Sequence, residues 1–231
     1  MTTLVESLVG AVKLLFTFDS ELVSITLLSL YVSLLGVFFA GLLAVPFAVL
    51  LGTKKFRGKK LVVNLINTFM GLPPVIVGLF LFLLFSRQGA LGGTGLLFTP
   101  EIMALAQFII AFPIITGVTL SAYEGVEKDV IDLIVSLGTN PRQRTWLTLF
   151  EMRYGILTAL MAGLGRAFSE VGAVIIVGGN IRHQTRLLTT AIVLETSRGE
   201  FETAIALGLI LLSLAFIINY ALTVVREGGR E

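Results

Sequence analysis

The sequence contains no cysteine and only one histidine, His183, among its 231 residues. Disulfide bonds and cysteine-ligated zinc are therefore excluded, and a site built from several histidines cannot form within one chain. Charged residues are also scarce, at 14 %, against about 25 % in a typical soluble domain. With so few reactive side chains we predict no catalytic residues and no metal site. A net charge of +2 is too small to indicate binding to nucleic acid.

Apolar residues are abundant instead, at 55 %, and the mean hydropathy is +0.95. No charged residue occurs within 22–53, 61–86, 102–123 or 203–225. Each of these stretches exceeds the roughly 20 residues with which a helix crosses the bilayer core. A further apolar stretch contains only two charged residues in its interior. We predict an all-α membrane protein, a single transmembrane domain over 1–231, with five spans at about 22–52, 61–86, 102–123, 153–178 and 203–225.

The two charged residues inside the fourth predicted span are Arg166 and Glu170. They are four positions apart, so they share a helix face, and such a pair must face protein or water. We favour a structural ion pair; assistance to a crossing anion is the alternative. Small residues at 159, 163 and 167 indicate close helix approach, either within the chain or between two copies.

The N-terminal segment has a different pattern from the spans. Polar residues and a glycine recur on an otherwise apolar helix at spacings of three and four, namely Thr3, Glu6, Gly10, Lys13 and Thr17. This pattern predicts an amphipathic helix that lies in the membrane interface. The alternative is a first span with an irregular beginning.

The distribution of basic residues predicts the orientation. The first and third loops and the C-terminal tail together carry eleven Lys and Arg residues, whereas the opposite side carries five. Basic residues concentrate on the cytoplasmic side of membrane proteins. We therefore predict an external N-terminus and a cytoplasmic C-terminus.

The long third loop, 124–151, carries the strongest local pattern. Residues 126–137 are amphipathic, Gly138 is a helix stop, and Asn140 followed by Pro141 is a typical helix start. The loop is thus predicted to form a helical hairpin on the cytoplasmic face. It is either a plain connection or a docking element for a cytoplasmic partner, and Trp146 is either an interfacial anchor or a binding hot spot.

This loop resembles the cytoplasmic loop of binding-protein-dependent ABC importer permeases. That family has Glu-Ala-Ala, three residues, Gly, nine residues, then Ile-x-Leu-Pro; here Asp132-Leu133-Ile134 and Gly138 occupy the first two elements. Thr148 to Glu151 replace the last one, so the end of the hairpin departs from the family pattern. The resemblance implies a coupling surface for the ATPase, made of Asp132, Leu133, Ser136, Gly138, Thr139, Asn140, Pro141, Arg142, Arg144, Trp146 and Phe150.

Further segments narrow the resemblance to the oxyanion group, most like the tungstate type. These are Gly71-Leu-Pro-Pro-Val-Ile-Val-Gly78, the segment 165–180 that ends in Val-Gly-Gly-Asn, and 188–196. Prolines inside a span break its helix, either to shape a pathway or merely to pack. We predict that the translocation pathway or gate includes Pro73, Pro74, Ser169, Glu170 and Asn180.

The resemblance implies the molybdate-like (type I) importer fold and a set of partners. These are a second copy of the chain, two cytoplasmic ATP-binding subunits, an external substrate-binding protein and membrane lipid, in the plasma membrane of a prokaryote. No phosphate-binding G-x-x-x-x-G-K-[ST] motif is present, so ATP and Mg are expected on the partner ATPase and no cofactor in this chain. The alternatives are a molybdate or sulfate permease of the same group, an ATP-independent channel or secondary transporter, and a membrane-embedded enzyme.

Overall fold

The computed structural model describes Gly10 and residues 20–228. Apart from Gly10, the predicted N-terminal amphipathic helix lies outside these residues. Within 20–228 the chain forms ten α-helices, with one 3-10 turn at Gly92–Thr94 and no strand. They are α1 (Ser20–Thr53), α2 (Lys59–Met70), α3 (Pro74–Phe85), α4 (Pro100–Glu124), α5 (Lys128–Ser136), α6 (Pro141–Glu151), α7 (Arg153–Phe168), α8 (Gly172–Gly178), α9 (Leu188–Arg198) and α10 (Phe201–Gly228).

Three of these helices are long and apolar enough to cross a membrane unbroken, namely α1, α4 and α10. They coincide with three of the predicted spans, because a long segment without charged side chains can cross the bilayer without burying a charge. Up to five spans result if each of two bent pairs, α2–α3 and α6–α7, counts as one. The chain is therefore a multi-pass helical membrane protein.

The other two predicted spans are not single straight helices. The span predicted over 61–86 consists of α2 and α3, which meet at 96° across Gly71, Leu72 and Pro73. The span predicted over 153–178 ends its first helix at Phe168, and the short helix α8 begins only at Gly172. Arg166 belongs to α7, whereas Glu170 lies within the interruption, so the two residues do not share one continuous helix, which the sequence had predicted.

Helix α4 is the centre of the bundle, and α1 and α7 pack against it. Small side chains allow this close packing: Ala40, Ala111 and Ala159 are fully buried in one apolar cluster. The stripe of small residues on α7 faces inward, since a Cβ at Gly163 would lie 2.6 Å from the Ile115 side chain of α4. Close packing within the chain thus accounts for this stripe.

The two ends of helix α1 lie at opposite ends of the bundle, and their neighbours show which segments lie there. Its last turns share a cavity of about 510 Å³ with α6, lined by Val49, Thr53, Pro141 and Arg144 among others. Its first turn lies beside the loop that joins α8 to α9, where Arg182 contacts Glu21. The hairpin α5–α6 and the α8–α9 loop therefore lie at opposite ends of the molecule.

Candidate functional site

The hairpin α5–α6 is built by local interactions at its turn. Gly138 has φ = +70°, a left-handed conformation that glycine adopts without strain, and it ends α5. The Asn140 side chain accepts a hydrogen bond from Gln143 N at 2.9 Å, and the Gln143 side chain accepts one from Asn140 N at 2.9 Å. Together with Pro141 at the first position of α6, this reciprocal capping box fixes where the second helix begins.

Most of the large apolar side chains of the hairpin are exposed. Trp146 is 70 % exposed, and Leu133, Leu137 and Phe150 are exposed as well, whereas Ile134 is buried. Exposed apolar side chains that cluster in this way are typical of surfaces that bind another protein or a membrane. Thr139 instead stabilises the turn, donating from its hydroxyl to Ile134 O at 2.6 Å. Asp132, Ser136, Arg142 and Arg144 are exposed around this apolar surface.

A bent joint connects the hairpin to the bundle. Helices α6 and α7 meet at 64° around Met152, whose side chain is buried. Arg153 holds the joint: its guanidinium donates to Phe150 O at 2.8 Å and lies 4.3 Å from the centre of the Phe150 ring. These two contacts fasten the end of α6 to the start of α7.

The two helix breaks lie against each other. A Cβ placed at Gly78 of α3 would lie 2.8 Å from Ala173 Cα and 3.0 Å from Ala173 O in α8. A Cβ at Gly172 would lie 2.7 Å from the Val75 side chain. Only glycine permits the backbones of α3 and α8 to approach so closely. The structure thus joins the Pro73–Pro74 break to the Ser169–Glu170 break.

Polar groups stabilise the interruption between α7 and α8. The Glu170 side chain is 3 % exposed and accepts a hydrogen bond from Ala173 N at 2.9 Å, so it caps α8. Its other oxygen lies 3.8 Å from Arg166, whose side chain is 34 % exposed. Thr189 of α9 donates to Glu170 O at 2.9 Å. Ser169, by contrast, is exposed beside the break.

Asn180 lies one helix beyond this break and is linked to it through α9. It has φ = +51°, follows Gly179 at the end of α8, and donates from its amide to Thr190 O at 3.3 Å. Since Thr189 and Thr190 are adjacent, the first turn of α9 connects Glu170 to Asn180. The predicted pathway residues therefore form one region, and their role in transport remains a prediction.

One residue of this region was missed by the sequence analysis. Gln107 of α4 is almost completely buried and donates from Nε2 to Ala167 O at 3.2 Å, near the end of α7. Its contact is 60 positions away in the chain, so no local pattern reveals it. An isolated amide in a charge-free span was the available signal, because polar groups within a membrane are costly unless they are bonded.

The capping box gives a local test of the hairpin. Asn140→Ala removes the acceptor for Gln143 N and is expected to destabilise the start of α6 by about 1 kcal/mol. Amide hydrogen exchange in the first turn of α6 should then accelerate about fivefold. Asn140→Ser retains a capping oxygen and should exchange nearly as the unaltered protein does. Equal exchange in the alanine and serine variants would contradict the capping role.

The architecture defines a multi-pass membrane protein that carries a structured hairpin at one end and interrupted helices inside its bundle. This combination is typical of transporters, in which interrupted helices line a pathway. The chain belongs to the family of binding-protein-dependent transport system inner membrane components, whose sequence profile matches residues 44–228. The family membership predicted from the hairpin motif is thereby confirmed.

Several relatives align along most of this chain. A probable anion ABC transporter permease protein of Haloferax volcanii is 48 % identical over 86 % of this chain and 88 % of its own length. The tungstate uptake system permease protein TupB of Peptoclostridium acidaminophilum is 36 % identical over 98 % of this chain and its entire length. The molybdenum transport system permease protein ModB of Haemophilus influenzae is 28 % identical over 83 % of this chain and 88 % of its own length.

Proposed function

We propose that this chain is the permease subunit of an ABC importer that takes up a tetrahedral oxyanion, with tungstate as the substrate. The observation that carries this proposal is the full-length similarity to a tungstate uptake permease, at 36 % identity over 98 % of the chain. A second TupB protein, of Campylobacter jejuni, is 37 % identical over 91 % of the chain. The more distant molybdenum permease, and a sulfate transport permease that is also 28 % identical, support a molybdate or sulfate importer as the alternative within the same group.

In this proposal the chain crosses the membrane five times, with the N-terminus outside and the C-terminus in the cytoplasm. The bent pair α2–α3 counts as one span. The other is α7 together with α8, in place of the bent pair α6–α7, so that α6 lies outside the membrane in this proposal. The excess of basic residues in the first and third loops and the C-terminal tail, eleven against five on the opposite side of the predicted topology, supports this orientation. The membrane would be the plasma membrane of a prokaryote, as the family implies.

The importer would contain two copies of this chain, two cytoplasmic ATPase subunits and an external binding protein. The exposed apolar surface of the hairpin, which includes Trp146, is the proposed contact with the ATPase. ATP and Mg would reside in that partner. When the ATPase subunits close, they would displace α6, and the Met152 joint would carry the movement to α7 and the paired helix breaks. The work comes from the difference in partner affinity between the two states.

The coupling surface can be tested by pull-down of the cognate ATPase in detergent. We expect the unaltered permease to retain the ATPase, and the combined variant Gly138→Pro with Trp146→Ala to lose it. Proline cannot adopt the φ of +70° found at Gly138, and truncating a tryptophan hot spot costs 2 kcal/mol or more, about 30-fold in affinity. A control variant, Gly165→Ala, alters α7 at a site with open space around it and should bind normally.

Two measurements decide between the alternatives. If the unaltered permease retains no ATPase while it remains monodisperse, the importer proposal fails and an ATP-independent channel takes its place. In proteoliposomes that contain the complete importer, uptake of tungstate should exceed uptake of molybdate and sulfate. Faster uptake of either of those anions would reassign the substrate within the group.

A further inference from the structure

The last turns of α1 and the hairpin helix α6 leave a cavity of about 510 Å³ between them. Its wall is mainly apolar and includes Val49 and Leu50 of α1 and Leu149 of α6. Two cationic side chains, Lys54 and Arg144, also line it, and no carboxylate lines it among the described residues. The cavity therefore joins an apolar surface to a local excess of positive charge.

The two cations have no partner of opposite charge in the part of the chain that the structure describes. Lys54 directly follows α1, Arg144 lies near the start of α6, and both are exposed. The ion pairs formed among residues 20–228 involve neither of them. Basic pockets between membrane helices on the cytoplasmic side bind anionic lipid headgroups. Uncompensated charge beside an apolar wall thus favours a ligand that is anionic at one end and apolar at the other.

An apolar stripe on α1 leads from this cavity toward the middle of the helix. This α1 stripe consists of Phe39, Leu43, Pro46 and Leu50, whose spacings of four, three and four place them on one helix face. All four are exposed within the chain, and the last two also line the cavity. At a rise of about 1.5 Å per residue the stripe is about 17 Å long, close to the roughly 15 Å of one leaflet of the bilayer core. An acyl chain can therefore extend from the cavity along α1.

The cavity lies on a different face of α6 from the proposed ATPase contact. Arg144 precedes Trp146 by two positions, which places the two side chains about 160° apart around the helix. Trp146 is not among the residues that line the cavity. A ligand held between α1 and α6 therefore leaves the Trp146 side of the hairpin accessible to a protein partner.

We propose that this cavity binds an anionic phospholipid, with Lys54 and Arg144 holding its phosphate and an acyl chain lying along the α1 stripe. Bound there, the lipid fastens the hairpin to the bundle. The cavity and the two charges distinguish this site from the general contact that every apolar face of the protein makes with lipid. Placing the lipid in the cytoplasmic leaflet rests on the proposed function, which sets the orientation. The site itself rests on the cavity, its charges and the stripe.

The test is lipid binding to the purified permease in detergent, without the ATPase, measured by native mass spectrometry. The probes are phosphatidylglycerol, phosphatidylcholine with the same acyl chains, and a short-chain phosphatidylglycerol. We expect long-chain phosphatidylglycerol to bind at least about fivefold more tightly than phosphatidylcholine, since one basic residue near an anionic headgroup contributes about that factor. The short-chain lipid should bind more weakly than the long-chain one, because it buries less apolar surface against the α1 stripe.

Two variants and a matched control test the cations. Lys54→Gln and Arg144→Gln should each weaken the binding of phosphatidylglycerol about fivefold, and the double variant about 30-fold. Both residues are exposed, so without lipid these variants should melt as the unaltered protein does. Arg57→Gln removes an exposed charge from the same loop as Lys54, but Arg57 is not among the residues that line the cavity, so binding should be normal. Added phosphatidylglycerol should raise the melting temperature of this control more than that of the double variant.

Four results would overturn the site: equal binding of the two headgroups, equal binding of the two chain lengths, unaltered binding by the double variant, or equal weakening in Arg57→Gln. Inorganic phosphate is the competitor, and displacement of the lipid by an equal concentration of phosphate would assign the two cations to a free anion instead. Loss of the lipid when the ATPase is added would assign the cavity to that protein. Because the lipid measurement needs no ATPase, its failure leaves the importer proposal intact. Conversely, a failed ATPase pull-down leaves the lipid measurement valid.

Discussion

Gly78→Ala is expected to abolish transport and to lower the melting temperature of the purified permease markedly. The new methyl group would lie 2.8 Å from Ala173 Cα and 3.0 Å from Ala173 O, and backbone atoms cannot rotate away. Overpacking typically costs about 1–3 kcal/mol, and a backbone obstacle places this variant at the upper end. The measurements are thermal unfolding in detergent and uptake by the reconstituted importer.

Gly165→Ala is the matched control for this variant. Gly165 also lies in a helix of the bundle, but a Cβ there has nothing within 4 Å, and alanine favours the helix by up to about 1 kcal/mol. We expect unchanged transport and an equal or higher melting temperature. A Gly78→Ala protein that melts and transports normally would show that α3 and α8 do not approach each other as described.

Glu170→Ala is expected to have the second large effect, a loss of about 2–3 kcal/mol in the free energy of unfolding. The variant leaves Ala173 N without its acceptor and removes the partner of Arg166. Breaking a buried ion pair costs about 3–5 kcal/mol, but Arg166 is 34 % exposed, so solvent recovers part of that loss. The destabilisation should appear as faster hydrogen exchange in α8 and slower uptake.

Two further variants separate the contributions of Glu170. Glu170→Gln keeps an oxygen for Ala173 N and should lose about 1 kcal/mol, much less than alanine does. Arg166→Gln leaves a buried carboxylate without its cation, and combining it with Glu170→Gln should cost less than the sum of the two. Equal losses in Glu170→Ala and Glu170→Gln would rule out a contribution from the bond to Ala173.

The hairpin is the part of the candidate site that the sequence predicted best. The first helix of the hairpin stops at Gly138, and the second begins at Asn140 and Pro141. These features, and the exposed Trp146, depend on residues within a few positions of one another. Local conformational preference and hydrogen bonding decide such a structure, so a local pattern is sufficient to predict it. The amphipathic pattern of α5 did not predict which apolar side chains are covered within the chain: Ile134 is buried, whereas Leu133 and Leu137 are exposed.

The helix breaks were predicted less completely. Pro73 and Pro74 indicated a break, but not the 96° angle between α2 and α3. The interruption at 169–171 carries no proline, and it is stabilised by Gln107 and Thr189, which belong to other helices. Long-range partners of this kind leave no trace in a window of neighbouring residues, so the low charge of the segment extended the predicted span across the gap.

By itself, the sequence determined the class of the protein, its three unbroken spans and the hairpin between α4 and α7. The class and the spans follow from the scarcity of charge, which decides which segments of a chain enter a bilayer. The hairpin follows from helix caps, which depend on neighbouring residues only. Only the tertiary structure decided that α3 and α8 meet through Gly78 and Gly172, and that Arg186 is buried beside Glu21. Those features depend on backbones approaching across the bundle, where the close fit of distant segments, and not any local preference, sets the geometry.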